Sequence, residues 1–410
     1  MHSLLFTASA QSGIQFLAVV TGLVVVRLLS VREYAYYTIA NAALGSLTAL
    51  TDCGVTQSVL ALGGKVWQSA PGLGAVVAGG MRLRRRFALI AVVIAMPLVF
   101  LQLRQQGADA VAALLVTASI LPLLLSSITS QVLEAVPRLH QRLSQLQRIQ
   151  LSGAALRFLS VVAIIPVLPF AWLASLGAGL AQIWATWRVR RVAGALADLN
   201  APPDRSASRE MTRLVARATP GAIYYALAGQ ITVWLIALLG TTRAVAQVGA
   251  LSRLAMVYNV VTAAFTVMVV PRFARAQFAR GSTALGVYWR VQLALLAPLG
   301  MITLLAAAFP GAVLMLIGRE YFGLTREVVL SAVGGALGAL SGSAHALAAA
   351  RGVITCPWLA VPLALLVQTV LIMTLPMSTV SGVLWLGVLS NLAFWLTYSV
   401  NFSFAMLKRP

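Results

Sequence analysis

Residues 110–132 read AVAALLVTASILPLLLSSITSQV, a run of 23 residues without a charged side chain. As a helix, this run is long enough to cross the hydrocarbon layer of a membrane, which takes about 20 apolar residues. Its apolar residues do not alternate with polar ones, as they do in the strands of membrane barrels. The run therefore predicts a transmembrane α-helix, because only helices and closed barrels satisfy their backbone groups inside lipid.

Similar runs recur along the whole chain of 410 residues, of which 60% are hydrophobic and 10% charged. Soluble domains carry roughly one quarter charged residues, so a solvated surface is excluded for most of this chain. The predicted fold class is an all-α, polytopic membrane protein with twelve transmembrane helices. The spans lie near 5–29, 36–62, 87–103, 110–132, 150–168, 170–187, 218–239, 247–271, 287–309, 327–350, 354–376 and 380–406.

The lysines and arginines test this number of spans, because short loops rich in them stay on the cytoplasmic side. With the N-terminus inside, 21 of the 30 Lys and Arg residues fall in inner segments, five in outer turns and four within spans. One missed or invented span would exchange the sides of every later loop and remove this bias. We therefore expect both termini to be cytoplasmic.

The longest polar connection runs from Arg188 to Arg217 and contains the sequence NAPPD at 200–204. It separates two sets of six spans, a plan typical of transporters with internal repeats, whose substrate site lies between the repeats. We predict two pseudo-symmetric six-helix lobes joined by a cytoplasmic linker. Their bounds are 1–198 for the N-terminal lobe, 199–217 for the linker and 218–410 for the C-terminal lobe.

Arginines within spans are candidate functional residues, because each costs roughly 2.5–3.5 kcal/mol at the centre of a membrane helix. Arg253 lies about six residues into the eighth span, too deep to reach the outer surface easily. Arg27 lies near the outer end of the first span, and Arg157 and Arg290 lie near inner ends. Each either faces a cavity or binds helix carbonyls, and the sequence leaves both interpretations open.

Asp52 ends a polar stripe in the second span. Asn41, Gly45, Thr48 and Asp52 are spaced by four, three and four residues, so they share one helix face. That face either lines a cavity or packs against a neighbour through its small residues. Arg27 and a coupling cation are both candidate partners for Asp52, and the sequence does not choose between them.

Four stretches resemble one family of polysaccharide exporters. Residues 29–37 (LSVREYAYY) and 50–55 (LTDCGV) resemble the pattern after the first helix of that family, Glu-Tyr-Gly-Tyr followed by Asp-x-Gly, with Ala35 in the place of the glycine. Residues 248–275 resemble its eighth helix, which closes with a proline and a basic residue. Residues 309–321 resemble its Phe-Gly-x-x-Tyr element.

The chain thus resembles the polysaccharide and O-antigen flippases of the multidrug/oligosaccharidyl-lipid/polysaccharide (MOP) exporter superfamily. The resemblance implies alternating access in a bacterial inner membrane, with an undecaprenyl-diphosphate-linked oligosaccharide as cargo. Arg27 and Arg253 fall near arginines of the lipid II flippase branch. No cofactor or metal is expected, and a coupling ion, H⁺ or Na⁺, is left open. Polysaccharide polymerases or ligases are candidate partners.

Amide and aromatic side chains in three spans are predicted contacts to the sugar of such a cargo. Gln15 lies in the first span, Gln230 and Trp234 share a face of the seventh, and Asn259 belongs to a polar stripe in the eighth. Hydrogen bonds between helices are the alternative for the glutamines. The segment 138–148 suits a short interfacial helix on anionic lipids, or an ordinary inner loop.

Other classes of protein fit the sequence less well. The short outer turns leave no room for a catalytic domain, and no nucleotide loop or HExxH pair occurs, so we expect no enzyme. Nucleic acid is excluded as a partner because the positive-inside rule already places the net charge of +21. A cation-coupled multidrug antiporter is the rival. It generally needs carboxylates within spans, whereas arginines outnumber Asp52 there and favour an anionic headgroup.

Overall fold

The computed structural model of the chain describes residues 2–276, 281–351, 353 and 357–407. Within these ranges it contains seventeen α-helices, one 3₁₀ turn and no β-strand. Arg280, Lys408 and Arg409, which the sequence assigns to the inner side, lie outside the described residues.

The first half of the chain forms eight helices. They are α1 His2–Leu28, α2 Val31–Asp52, α3 Val55–Val66, α4 Ala70–Gln105, α5 Ala110–Leu133, α6 Ala135–Leu139, α7 Leu143–Ile164 and α8 Ala171–Gly194. The second half forms the other nine. They are α9 Arg205–Ala228, α10 Ile231–Leu239, α11 Thr242–Met268, α12 Val270–Arg275, α13 Gly281–Ala308, α14 Pro310–Ile317, α15 Thr325–Ala350, α16 Pro357–Thr374 and α17 Val380–Leu407.

The helices assemble into two compact units. One comprises residues 28–238, and its core packs Val59, Leu73 and Val132. The other comprises residues 1–27 and 239–410, and its core packs Tyr258, Tyr288 and Phe402. The first unit therefore holds α2 to α9 and nearly all of α10, and the second holds α11 to α17 together with α1. The lobe boundary at 199–217 stays a prediction.

Each predicted span coincides with one helix or with a broken pair. In the described residues seven helices are long and apolar enough to cross a membrane, and the pair α9 and α10, bent by 52°, makes an eighth. The predicted break between the fifth and sixth spans is confirmed, since α7 ends at Ile164 and α8 begins at Ala171.

The second span is broken, so the prediction of a continuous run over 36–62 is wrong. Cys53 and Gly54 have φ angles of 39° and 85° and separate α2 from α3. The Asp52 side chain accepts a hydrogen bond from the backbone N–H of Thr56 at 3.1 Å. Because the carboxylate satisfies an orphan donor at the start of α3, the chain begins a new helix there.

The helix α4 is longer than the predicted third span of 87–103. It runs unbroken for 36 residues, about 54 Å, against a hydrocarbon layer of about 30 Å. The cluster at 82–86, which the sequence assigns to an inner loop, lies within this helix because arginine is a good helix former. The turns before residue 87 therefore extend beyond the apolar part of α4 on the predicted cytoplasmic side.

Candidate functional site

A buried ion pair joins α2 to α4 in the unit of residues 28–238. Nη1 of Arg84 lies 3.5 Å from Oδ1 of Asp52, and the Arg84 side chain is 0% exposed against 27% for Asp52. Nη2 of Arg84 donates to Oε1 of Gln131 on α5 at 2.5 Å. Its Nε is buried without a hydrogen-bond partner among the described residues. The sequence gives no local sign of this pair, because residues 82–86 read as a solvated cluster.

Next to Gln131, at the end of α5, Glu134 is held by three side chains. Oε2 of Glu134 accepts from Nη2 of Arg138 at 2.6 Å and from Nε2 of Gln150 at 3.1 Å, and its Oε1 accepts from Ser130 Oγ at 3.0 Å. Arg138 and Gln150 belong to α6 and α7, so this carboxylate fastens three consecutive helices. Sequence reasoning missed it, because a single acidic residue at the end of a span has no distinctive pattern.

Asp52 is the last residue of α2. Counted from Val31 at the start of this helix, it is about 32 Å along the axis, a distance close to the thickness of the hydrocarbon layer. Asp52 therefore ends a helix instead of lying within a continuous span over 36–62, and its role toward a cargo or a cation stays a prediction. Of its two candidate partners, Arg27 is bound elsewhere, as described below, and Arg84 takes its place.

The seventh span contacts α2 where it is broken. Gln230 lies between α9 and α10. Its carbonyl oxygen accepts a hydrogen bond from the N–H of Trp234, in the first turn of α10. The Gln230 side chain packs on Gly45, where a Cβ atom would lie 2.8 Å from Nε2 of Gln230. One turn further, Nε1 of Trp234 donates to Oγ of Ser46 at 3.2 Å. Gln230 therefore meets the polar stripe of α2, and Trp234 meets the residue next to it, Ser46.

Trp234 also lines an apolar groove of about 630 Å³ among α2, α4, α9 and α10. The groove is lined by apolar side chains from three of these helices: Leu47 and Leu50 of α2, Ile90, Ile94 and Leu98 of α4, and Ile223 and Leu227 of α9. The groove lies beside the apolar part of α4 and has the size typical of small-molecule sites. It suits an extended hydrocarbon chain or a hydrophobic ring system.

Arg157 lies in the second half of α7. Since this helix runs from Leu143 to Ile164, Arg157 is about 21 Å from its start and about 10 Å from its end. It is half-buried, and its Nη2 donates to the hydroxyl of Tyr37 at 3.4 Å. In the described part of the chain no carboxylate pairs with it. That Arg157 lies near the inner end of its span stays a prediction, because the polar residues 143–149 precede the apolar part of α7.

Arg27 caps another helix of its own unit. Its Nε donates to the carbonyl of Leu316 at 2.8 Å and its Nη2 to that of Met315 at 2.6 Å, although the side chain is exposed. These carbonyls end α14, where the helix leaves acceptors without intrahelical partners. The contact accounts for Arg27 as a structural residue, one of the two interpretations that its sequence position allowed.

Arg253 is the most buried of the predicted cargo residues. It lies about 16 Å into α11 and is 8% exposed. Its Cδ atom packs against α1, so that a Cβ atom on Gly22 would lie 3.0 Å away. Nη1 contacts Sδ of Met256 at 3.9 Å. Gly22 thus makes the space that the Arg253 side chain occupies beside α1.

The other predicted contacts of this unit lie on α1 and α11. Asn259 is exposed on the face of α11 that also carries Ser252 and Thr266, whereas Gln15 is half-buried in α1. The polar stripe of α11 is therefore accessible, as a stripe that lines a cavity requires. No group of three metal-ligating side chains occurs among the described residues.

No protein-family model and no curated protein matches the sequence. Solved structures do match it over nearly the whole chain. An inward-facing multidrug resistance MATE family transporter of the MOP superfamily is 14% identical, covers 98% of both chains and has a TM-score of 0.66. The eukaryotic MATE transporter AtDTX14 is 14% identical, covering 97% of this chain and 94% of its own, with a TM-score of 0.66. The MATE multidrug transporter DinF-BH in complex with rhodamine 6G is 17% identical, covering 97% and 93%, with a TM-score of 0.63.

These likenesses show the fold. The chain has the helical architecture of the MATE transporters in the MOP superfamily, and the predicted all-α, multi-span fold class is confirmed. At 14–17% identity the likeness does not extend to the cargo.

Proposed function

We propose that this chain is an alternating-access transporter of the bacterial inner membrane, with both termini cytoplasmic. Its proposed cargo is an undecaprenyl-diphosphate-linked oligosaccharide, which it moves from the inner to the outer leaflet. The MATE-like fold supports the transport mechanism, and the charges at the level of the membrane support the choice of an anionic cargo.

The choice of an anionic cargo rests on which charged side chains of the predicted spans are paired and which are not. Asp52, the candidate carboxylate within a span, is bound by Arg84 and Thr56. Arg157 and Arg253 belong to predicted spans, and Arg157 has only the neutral hydroxyl of Tyr37 as its partner among the described residues. The excess charge inside the membrane is therefore positive, which favours an anion over an organic cation.

Arginine suits a diphosphate in geometry as well as in charge, because its planar guanidinium donates paired hydrogen bonds to phosphate oxygens. A membrane potential that is negative inside drives an anion outward by about 2.3 kcal/mol per charge and 100 mV. Export of this cargo therefore does not require a coupling ion. The apolar groove beside Trp234 has the shape for part of a polyprenyl chain, and Gln230 and Trp234 offer the amide and the ring that sugars bind.

Multidrug export coupled to a cation is the second candidate, and the structural neighbours favour it, since the matched structures include multidrug transporters. The apolar groove of about 630 Å³ also fits a hydrophobic ring system. A transporter of cations should, however, expose a carboxylate within its spans. The arginines within the spans and the pairing of Asp52 favour the lipid cargo.

The two candidates separate in proteoliposomes that contain the purified chain. One assay follows a fluorescent saccharide on polyprenyl diphosphate, added to one leaflet, by its accessibility to a membrane-impermeant quencher. The other follows rhodamine 6G under an imposed proton or sodium gradient. We expect the lipid probe to cross faster than in protein-free vesicles and rhodamine 6G to show no gradient-dependent movement.

Gradient-driven movement of rhodamine 6G without movement of the lipid probe would establish the multidrug exporter instead. An uncharged polyprenyl-linked saccharide serves as the matched control. If it crosses as fast as the diphosphate probe, the arginines do not select the cargo.

A further inference from the structure

A second site lies on a different face of α4 from the apolar groove, in a cleft of about 530 Å³. Its walls are α4, α5, α8 and the linker residues Leu199 and Pro203. The linker is held against α4, because the N–H of Asp198 donates to the carbonyl of Ala70 at 3.0 Å. A Cβ atom on Gly74 would overlap the carbonyl oxygen of Asp198. Only a glycine therefore allows this close approach.

Three arginines of α4 and one of α8 line this cleft, and its lining contains no carboxylate. They are Arg82, Arg85, Arg86 and Arg190. All four are exposed, and in the described part of the chain none of them forms a hydrogen bond or an ion pair with another residue. Four like charges around so small a space repel one another, and a bound anion would relieve that repulsion.

The positive-inside rule accounts for basic residues on this side of the membrane, but it does not require four of them to line one cleft that contains no carboxylate. Two neighbouring arginines on α8 show the contrast. Arg188 and Arg191 face a neighbouring cleft and lie over the rings of Trp184 and Trp187, at 5.9 Å and 3.7 Å. Those arginines interact with the protein itself, whereas the guanidinium of Arg190 is available to a ligand.

The position of the cleft along α4 indicates that the ligand is a lipid. Leu89 lines the cleft and is 68% exposed, and Val93, one turn further into the membrane, is 65% exposed. The arginines therefore lie where the lipid-facing part of α4 begins. Phosphates in the cleft would place their acyl chains alongside Leu89 and Val93, a contact that a soluble phosphate cannot make.

We infer that this cleft binds a phospholipid of the inner leaflet whose headgroup carries two phosphates, as in cardiolipin. Four guanidiniums provide two for each phosphate, and paired N–H donors match phosphate oxygens. Between helices on the cytoplasmic side, basic pockets bind such headgroups in membrane proteins. This site lies outside the groove and the arginines assigned to transport, so it does not depend on the identity of the cargo.

Native mass spectrometry of the full chain, released from detergent with added tetraoleoyl cardiolipin, phosphatidylglycerol or phosphatidylcholine, tests the proposal. We expect one cardiolipin to be retained. Changing the four arginines together to glutamine should lower the apparent affinity at least about tenfold. The matched control changes Arg205, Arg209, Arg213 and Arg272 to glutamine, since these are exposed on the same predicted side outside the cleft. It should retain cardiolipin as the unchanged chain does.

Two further measurements keep the proposal open to refutation if the quadruple variant does not fold. Arg190→Gln alone should weaken retention, and Gly74→Ala should also weaken it by displacing the linker wall without removing a charge. Equal loss in the control variant would mean that binding follows net charge only. Equal retention of phosphatidylglycerol, or tighter retention of polyprenyl diphosphate, would overturn the assignment to a resident two-phosphate lipid.

Discussion

Oδ1 of Asp52 lies 3.5 Å from Nη1 of Arg84, and this contact connects the last residue of α2 with the part of α4 that enters the membrane. Asp52 also caps α3 through Thr56. One carboxylate thus neutralises a buried cation and begins a helix. These two tasks give Asp52 a structural role, and they leave Arg157 and Arg253 as the candidates for cargo binding.

Removing this carboxylate should be costly. Asp52→Ala leaves the Arg84 guanidinium, whose side chain is 0% exposed, without its ion-pair partner. Breaking a buried ion pair by removing one partner costs about 3–5 kcal/mol, whereas replacing both partners by apolar residues is often neutral. We therefore expect a large drop in Tm for Asp52→Ala and recovery of most of it in the double variant Asp52→Leu with Arg84→Met. Thermal unfolding in detergent measures both.

The same double variant tests whether Asp52 couples transport to a cation. Because we assign a structural role to the pair, the folded double variant should still transport the lipid probe. Loss of transport with a normal Tm would instead support the coupling-cation interpretation of Asp52.

Gly45 positions Gln230. A Cβ atom at this position would lie 2.8 Å from Nε2 of Gln230, and the flexible end of that side chain can move away. Gly45→Ala should therefore displace the amide and reduce transport of the saccharide probe, while the free energy of unfolding changes by less than about 1 kcal/mol. Gly286→Ala is the matched control, because no atom lies within 4 Å of its Cβ position. An unchanged transport rate in Gly45→Ala would remove Gln230 from the cargo contacts.

Arg157 should matter through its charge. Arg157→Gln is expected to slow transport of the diphosphate probe about tenfold or more, which corresponds to ~1.4 kcal/mol of transition-state stabilisation. Arg157→Lys keeps the charge but loses the paired donors, so its effect should be smaller. Tyr37→Phe removes only the hydroxyl that accepts at 3.4 Å and should leave the rate nearly unchanged. Equal losses in Arg157→Gln and Tyr37→Phe would indicate that the pair is merely structural.

The contact between Gly22 and Arg253 can be measured by a double-mutant cycle. Gly22→Leu forces a side chain into the space of the Arg253 side chain, and such overpacking costs about 1–3 kcal/mol. In an Arg253→Ala background the same change should cost less, because the space is then free. Stabilities of the four chains in detergent give the coupling, which we expect to exceed about 0.5 kcal/mol. Additive effects would contradict the packing.

The linker should respond to pH through the start of α9. Asp204 accepts hydrogen bonds from the Oγ and N–H of Ser206 and from the N–H of Ala207, and these bonds lower the pKa of its carboxyl. Since the folded pKa lies below the unfolded value of about 3.9, the cap stabilises α9 above that pH and is lost as the pH falls through the folded pKa.

Hydrogen exchange of the amides at 206–208, compared with Asp204→Ala at each pH, measures this effect. The two chains should differ at neutral pH and converge in acid. A difference that stays constant across the range would show that the carboxylate does not act as the cap.

Much of the fold is predictable from hydropathy and loop charge, because spans must be apolar and inner loops basic. The break at Cys53 and Gly54 is not, since the run 36–62 contains no proline and the break depends on the cap that Asp52 provides. The helix through 82–86 is not predictable from the local sequence either. A cluster of arginines predicts a loop, because the partners of Arg84, Asp52 and Gln131, are distant from it in sequence.

The residue types of the candidate site can be predicted, but their partners cannot. Gln230 and Trp234 are suggested by the polar and aromatic pattern of the seventh span, yet their neighbours Gly45 and Ser46 lie almost half the chain away. The start of α7 is not predictable from hydropathy, because polar residues 143–149 extend this helix beyond the apolar run.

The unbroken course of α4 has a mechanical consequence. From Pro71 to Pro97 no residue interrupts the backbone hydrogen bonds of α4, so this helix is stiff. A tilt of the part that carries Arg82 and Arg85 would move the following part, which lines the groove. A lipid bound in the proposed cleft would therefore also shift the groove wall, without entering the groove.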